Sequence, residues 1–143
     1  MKAHEILKEK GSKVHCTCPE ATIMDAVSLL CEHNIGALVV VDGSSAVKGI
    51  VTERDVLRNV AACSNSRIKV KDIMTKDVII GLPDDEIEAL MKIMTQKKIR
   101  HIPIMDKTSL AGVISIGDIL KSLHDEKSTK IRYLESYISS GYM

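Results

Sequence analysis

The hydrophobic positions along this chain change period several times, and the changes come twice in the same order. Apolar side chains fall at Ile23, Ala26, Val27 and Leu30, and again at Ile87, Leu90, Met91 and Met94. Both sets follow i, i+3, i+4, i+7, the stripe of an amphipathic helix with one face in a core. A short run closed by proline precedes each, VHCTCP ending at Pro19 and VIIGLP ending at Pro83, and each run reads as a strand feeding the helix. Beyond the helices lie ALVVV from Ala37 and HIPIM from His101, each followed by an aspartate (Asp42 or Asp106) and a small polar loop, DGSS or DKTS, that leads into AVKGIV or LAGVIS. Such β-rich runs divided by turn formers predict two β-hairpins. The second loop is one residue shorter, which moves the offset between copies from 64 to 63. Pro103 has no N–H to give to a ladder, so its strand is expected at an edge or paired on one side only there.

A second helix is predicted from Thr52, with Val56, Leu57 and Val60, and from Ser115, with Ile116, Ile119, Leu120 and Leu123. Each copy is therefore β-α-β-β-α. Two copies are too few for a solenoid, which needs about three repeats to bury a continuous face. The expected fold is α/β, with two repeats packed about a pseudo-twofold axis and flanked by N- and C-terminal helices. The expected divisions are an N-terminal helical segment over 1–12 (Ala3 to Lys10, ended by Gly11), repeat 1 over 13–62, a linker over 63–76 that turns helical at its DIM, repeat 2 over 77–124, and a C-terminal helix or tail over 125–143. That last helix, beginning at Asp125, would carry Ile131, Leu134 and Ile138 on one face with Tyr133 and Tyr137 at i, i+4 on its side. The stripe fits either a partner surface or a cap on its own module.

Bulk numbers narrow the function. With 143 residues, 45% apolar and 27% charged, the chain is ordinary globular material with room for one domain or two small units sharing a core. A net charge of +1 gives no general attraction to nucleic acid or anionic lipid, so any anion site must be local. There is no Phe and no Trp, and the three Tyr all lie in the last eleven residues, so aromatic platforms for single-stranded nucleic acid are missing from the body. No window approaches the roughly 20 apolar residues that span a bilayer, and MKAHEILKEK lacks the apolar core of a signal peptide; the expected location is the cytoplasm. The cysteines Cys16, Cys18, Cys31 and Cys63 are then expected reduced, with Cys16 and Cys18 expected as buried small hydrophobes. His15, Cys16 and Cys18 in VHCTC are weak metal candidates. Strand alternation sets the two cysteines on one face and His15 on the other, and no second CxxC or HxxxH completes a tetrahedral site.

The chemistry concentrates in a phrase written twice, GIVTERDVL from Gly49 to Leu57 and GVISIGDIL from Gly112 to Leu120. A hydroxyl residue with an aspartate three positions later starts a helix: the hydroxyl accepts from a backbone N–H and the carboxylate reaches back. Glu or Gln usually closes that box, whereas here the shorter Asp appears twice. The same geometry can hold a ligand, because a helix start attracts phosphate and an aspartate one turn in can accept from a ribose diol. Gly49 and Gly112 permit close approach of a ligand or another backbone. Spacing alone leaves both readings open. No Walker loop, nucleophile elbow or recognised Cys–His pattern is present, so no enzyme activity is expected.

The paired β-α-β-β-α units, the repeated glycine-to-aspartate phrase and KIRHIPIMD before the second hairpin resemble the tandem CBS-domain (Bateman) module, over about residues 13–124. The resemblance implies a non-catalytic regulatory or energy-sensing module that binds adenosine-containing ligands such as AMP, ADP, ATP, NAD(H) or S-adenosylmethionine in clefts between the repeats, usually as a homodimer. It implies that Asp55 and Asp118 hold ribose hydroxyls, that Thr52 and Ser115 contact ribose or phosphate, and that backbone around Thr17 and Ile80 reads the adenine. It also implies phosphate contacts from Arg100, His101 and Arg54. The copies differ: Gly36 and Ala37 stand where the second copy has Arg100 and His101, and Gly117 stands where the first has Arg54. Two unequal sites are expected, the better-supported one drawing on both halves. The alternative is a metal- or redox-linked protein-interaction module, resting on VHCTC and the tyrosine-bearing tail; a regulated protein partner is compatible with either.

Overall fold

Each helix stripe meets a helix start written just ahead of it, and together they set the element order of this computed structural model, which describes residues 1–11, 13–62 and 67–139. The order is α1 (Ala3–Lys10), β1 (Cys16–Thr17), α2 (Ile23–His33), β2 (Ala37–Val41), β3 (Val47–Thr52), α3 (Glu53–Arg58), a single 3-10 turn over Val60–Ala62, α4 (Val70–Ile73), α5 (Ile87–Lys97), β4 (His101–Asp106), β5 (Ser109–Ser115) and α6 (Ile116–Ser139). The predicted stripes face inward: Ile23, Ala26 and Leu30 are buried on α2, and Ile87, Leu90 and Met94 on α5. Both hairpins are antiparallel and carry an irregularity at equivalent places, Val40/Val41 and Ile104/Met105.

The pseudo-twofold relation is written in the hydrogen bonds. Glu53 N–H donates to the Gly36 carbonyl at 3.0 Å, and Ile116 N–H to the Arg100 carbonyl at 2.8 Å. The flanking helices obey the same symmetry but are exchanged. In α1, Ala3 and His4 donate to the carbonyls of Asp85 and Pro83 in repeat 2, both at 2.9 Å. In α4, Val70 and Lys71 donate to Ala21 and Pro19 in repeat 1, at 2.8 and 3.1 Å. Accordingly Ala3, Ile6 and Leu7 belong to the core of repeat 2, and Val70 to that of repeat 1. The two glycines of the repeated phrase make room for this exchange. A Cβ on Gly49 would lie 2.7 Å from the Thr75 carbonyl, and one on Gly112 would lie 2.5 Å from a methyl of Leu7.

Three sequence expectations need correction. Repeat 1 has a three-stranded sheet with β1 parallel to β2, but VIIGLP forms no strand, only a single bridge from Gly81 to Ile104. Proline is the reason. In repeat 1 Val39 N–H reaches the His15 carbonyl at 3.4 Å. The residue equivalent to Val39 is Pro103, which cannot donate, so pairing stops where Gly81 donates to the Pro103 carbonyl at 2.8 Å. Secondly, no new helix begins at Asp125: α6 runs unbroken over 24 residues, because nothing after Gly117 in that stretch is Gly or Pro. Leu134 on it is exposed, while the side chains of Ile131, Tyr133, Tyr137 and Ile138 lie outside the described residues. Thirdly, Cys16 and Cys18 are exposed rather than buried, and Cys31 is exposed as well. The two-residue strand β1 is an edge strand whose alternation buries Thr17 and leaves Cys16 and Cys18 on either side of it exposed. Cys63 lies outside the described residues.

Candidate functional site

The repeated phrase ends a strand and begins a helix in both copies, and the aspartate closes the capping box each time. In repeat 1 the Thr52 N–H donates to Asp55 Oδ2 at 2.9 Å, and the Asp55 N–H donates back to Thr52 Oγ1 at 3.2 Å. In repeat 2 the Ser115 N–H donates to Asp118 Oδ2 at 2.8 Å, and the Asp118 N–H to Ser115 Oγ at 3.1 Å. The cap uses one carboxylate oxygen. Asp118 Oδ1 accepts no hydrogen bond among the described residues, and Asp55 Oδ1 receives only a long one, 3.4 Å from the Thr75 hydroxyl. Both carboxylates are partly buried. Cap and ligand grip are therefore compatible: one oxygen holds the helix start and the other is left for a donor.

The exchanged segments bring partners that reasoning about the repeats alone missed. Lys10, the last residue of α1, donates through Nζ to Asp118 Oδ2 at 2.7 Å and to the Val113 carbonyl at 2.8 Å. Burial would raise the Asp118 carboxyl, but the Lys10 and Ser115 hydrogen bonds and the Lys10 charge outweigh it and hold the group below its ordinary value. A signal existed in the sequence: KAHEIL at Lys2 and KVKDIM at Lys69 are themselves a repeat, each with its N–H donated to an acidic residue three places on, Glu5 or Asp72.

The other candidates are distributed unevenly. Thr17 is buried in β1, opposite Val40. Its structural counterpart is Gly81 rather than Ile80, since Gly81 bridges Ile104 as Thr17 pairs with Val40; Ile80 lies outside any strand and is half exposed. Arg54 turns away from Asp55 and crosses to repeat 2, its Nη1 donating to the Lys98 carbonyl at 3.0 Å. It lines a groove of about 370 Å³ with Lys98 and Arg100 above a floor of Met94, Ile99 and Ile116, so the groove draws cations from both repeats. His101 lies apart from that groove, paired in register with Ser115 and against Gly36, where a Cβ would come within 3.0 Å of its ring. That approach accounts for the glycine in the first copy. Burial pushes the His101 imidazole below its ordinary value, with the charges of Glu53 and Asp118 opposing in part. His15 stacks on His33 at 3.7 Å, and among the described residues no three His, Cys, Asp or Glu side chains converge on a metal position. No described helix is long and apolar enough to cross a membrane.

Two repeats of one helix–hairpin–helix plan, joined by exchanged flanking helices and each carrying a hydroxyl–aspartate pair where a strand runs into a helix, define a tandem module of the Bateman type. The chain belongs to the CBS-domain family, whose model matches residues 4–62 and 70–125. It is 38% identical over 96% of its length to the CBS domain-containing protein CBSX3, mitochondrial, of Arabidopsis thaliana, covering 72% of that protein. Its fold matches a CBS-domain protein of Agrobacterium tumefaciens with a TM-score of 0.79 at 36% identity, over 85% of this chain and 98% of that one. It also matches, at TM-score 0.76 and 27% identity, over 88% of this chain and 98% of that one, the CBS domain pair of protein MJ0100 in complex with 5′-methylthioadenosine and S-adenosyl-L-methionine.

Proposed function

We propose that this chain is a non-catalytic regulatory module that binds an adenosine-containing ligand at the clefts beside Asp55 and Asp118. One observation carries the reading: each motif carboxylate commits Oδ2 to its helix start, and the remaining oxygen, which at Asp55 accepts only the long bond from the Thr75 hydroxyl, is available to the hydroxyls of a ribose. The adenosine compounds bound by the MJ0100 pair support the same chemistry. In the absence of aromatic residues the base would lie between aliphatic side chains near Thr17 in one copy and near Ile80 and Gly81 in the other, with backbone groups reading its edge. Thr52 and Ser115 contribute hydroxyls, and Arg54, Arg100 and His101 are the phosphate candidates. AMP, ADP, ATP, NAD(H) and S-adenosylmethionine are the compounds to test. Occupancy would alter a homodimer or the grip on a regulated protein partner.

Substitution by Asn tests the reading without destroying the cap. The Asn side-chain oxygen still accepts from the N-cap N–H, but its other end donates and cannot accept from a sugar hydroxyl. Differential scanning fluorimetry should show wild-type protein stabilised by about 2.7 kcal/mol at ligand a hundred times Kd, and the shift should be lost in the Asp55→Asn, Asp118→Asn double variant. A wild-type protein whose melting ignores every adenine compound would refute the proposal.

A further inference from the structure

The two clefts repeat the same carboxylate and hydroxyl but not the same charge. Beside Asp118 the exchanged helix α1 delivers an ammonium, Lys10 Nζ, at 2.7 Å. Beside Asp55 the exchanged segment delivers only the Thr75 hydroxyl, at 3.4 Å. On the neighbouring strand, His101 stands opposite Ser115, whereas Ala37 stands opposite Thr52. Arg54, the cation within the first motif, is committed to the Lys98 carbonyl on the far side. Lys10 uses two of its three N–H groups on Asp118 and on the Val113 carbonyl. No further hydrogen bond of its ammonium is formed among the described residues, and about a third of the side chain is exposed.

We infer that Lys10 makes the Asp118 site selective for phosphorylated adenosine, while the Asp55 site, whose carboxylate forms no ion pair with a cation among the described residues, takes adenosine compounds that carry no phosphate. The inference rests on the adenosine reading above and adds the ligand class of each cleft. A lysine suits this role because its flexible four-carbon stem can hold Asp118 when the site is empty and swing toward a phosphate a few ångströms away. Asp118 loses no cap in that exchange, because the Ser115 N–H remains on Oδ2.

Isothermal titration calorimetry with AMP and with 5′-methylthioadenosine, on the full chain and on Lys10→Gln and Lys10→Arg, tests this. Gln keeps a donor for Asp118 and Val113 so that α1 stays docked, and circular dichroism melting verifies that it does. The expected result is a loss of about tenfold in AMP affinity for Lys10→Gln, retention in Lys10→Arg, and methylthioadenosine binding unchanged within about twofold. The AMP effect should shrink as salt rises from about 50 to 500 mM. Asp118→Asn should abolish AMP binding and spare methylthioadenosine, and Asp55→Asn the reverse. Equal losses for both compounds in Lys10→Gln, no loss, or tighter binding on removal of the lysine would each overturn the inference and leave the adenosine reading standing. Wild-type protein that takes up neither compound would overturn both.

Discussion

At the scale of single residues, the protein reuses a capping box as a grip. Thr52, Asp55, Ser115 and Asp118 were legible in the sequence as a pair of motifs, because a hydroxyl and a carboxylate three residues apart have few geometric options. Lys10 was not legible. It lies 108 positions from Asp118, and nothing local to either residue encodes their meeting. His101 carries the clearest pH consequence. Its folded-state value is depressed from 6.5 chiefly by burial, so the unfolded chain binds the proton more readily. Stability is therefore fully present above about pH 6.5 and is lost as pH falls toward the depressed folded value. His15 is shifted in the same direction but is more open to solvent, so it should contribute less. Urea midpoints measured between about pH 7 and 5 should fall, and His101→Gln should remove most of the slope; an unchanged slope would show that another group drives it.

At the scale of elements, the hydrophobic periods revealed the first helix and the hairpin of each repeat, and the bounds of α1 agree with the expected Ala3 to Lys10, but the helix expected from Thr52 through Val60 ends at Arg58, with Leu57 exposed and Val60 in a 3-10 turn. What periodicity did not reveal was attachment. The stripe on α1 shows that Ile6 and Leu7 need burial without showing which repeat receives them, and α4 is too short to carry a stripe at all. Pro103 was read as a restriction on β4, but its larger effect falls on the segment before α5, where the Ile79 carbonyl is denied the donor that Val39 gives to His15 while the Gly81 carbonyl still accepts from the Met105 N–H at 2.9 Å. The exchange of helices has a direct test. Ile6 is 2% exposed within the core of repeat 2, so Ile6→Ala should cost about 2–5 kcal/mol. Hydrogen exchange should show the loosening in β4, β5 and α5 while β2 and β3 stay protected. Loosening confined to repeat 1 would contradict the exchange.

At the scale of the whole molecule, the pseudo-twofold pattern leaves apolar side chains outside at matching places. Leu57 on α3 is 72% exposed and Leu120, its counterpart on α6, is 56% exposed, with Val60 nearby at 66%. The symmetry-related pair Leu57 and Leu120, with Val60 one turn beyond Leu57, suits self-association through α3 and α6, the homodimer proposed above. Light scattering should give twice the monomer mass for the native chain and the monomer mass for the Leu57→Glu, Leu120→Glu double variant. A monomeric native protein at tens of micromolar would count against it.

The exchanged helices also impose a timetable on biosynthesis. Residues 13–76 contain repeat 1 and the helix that seals it, so this half can close as soon as it clears the ribosome. The α1 segment emerges earlier still, yet its seat is not finished until Asp118 has been made. At roughly 5–20 residues per second it waits on the order of 5–20 s with Ile6 and Leu7 uncovered. During that interval α1 stays open to chaperones and proteases, and the Lys10–Asp118 contact cannot form before it ends.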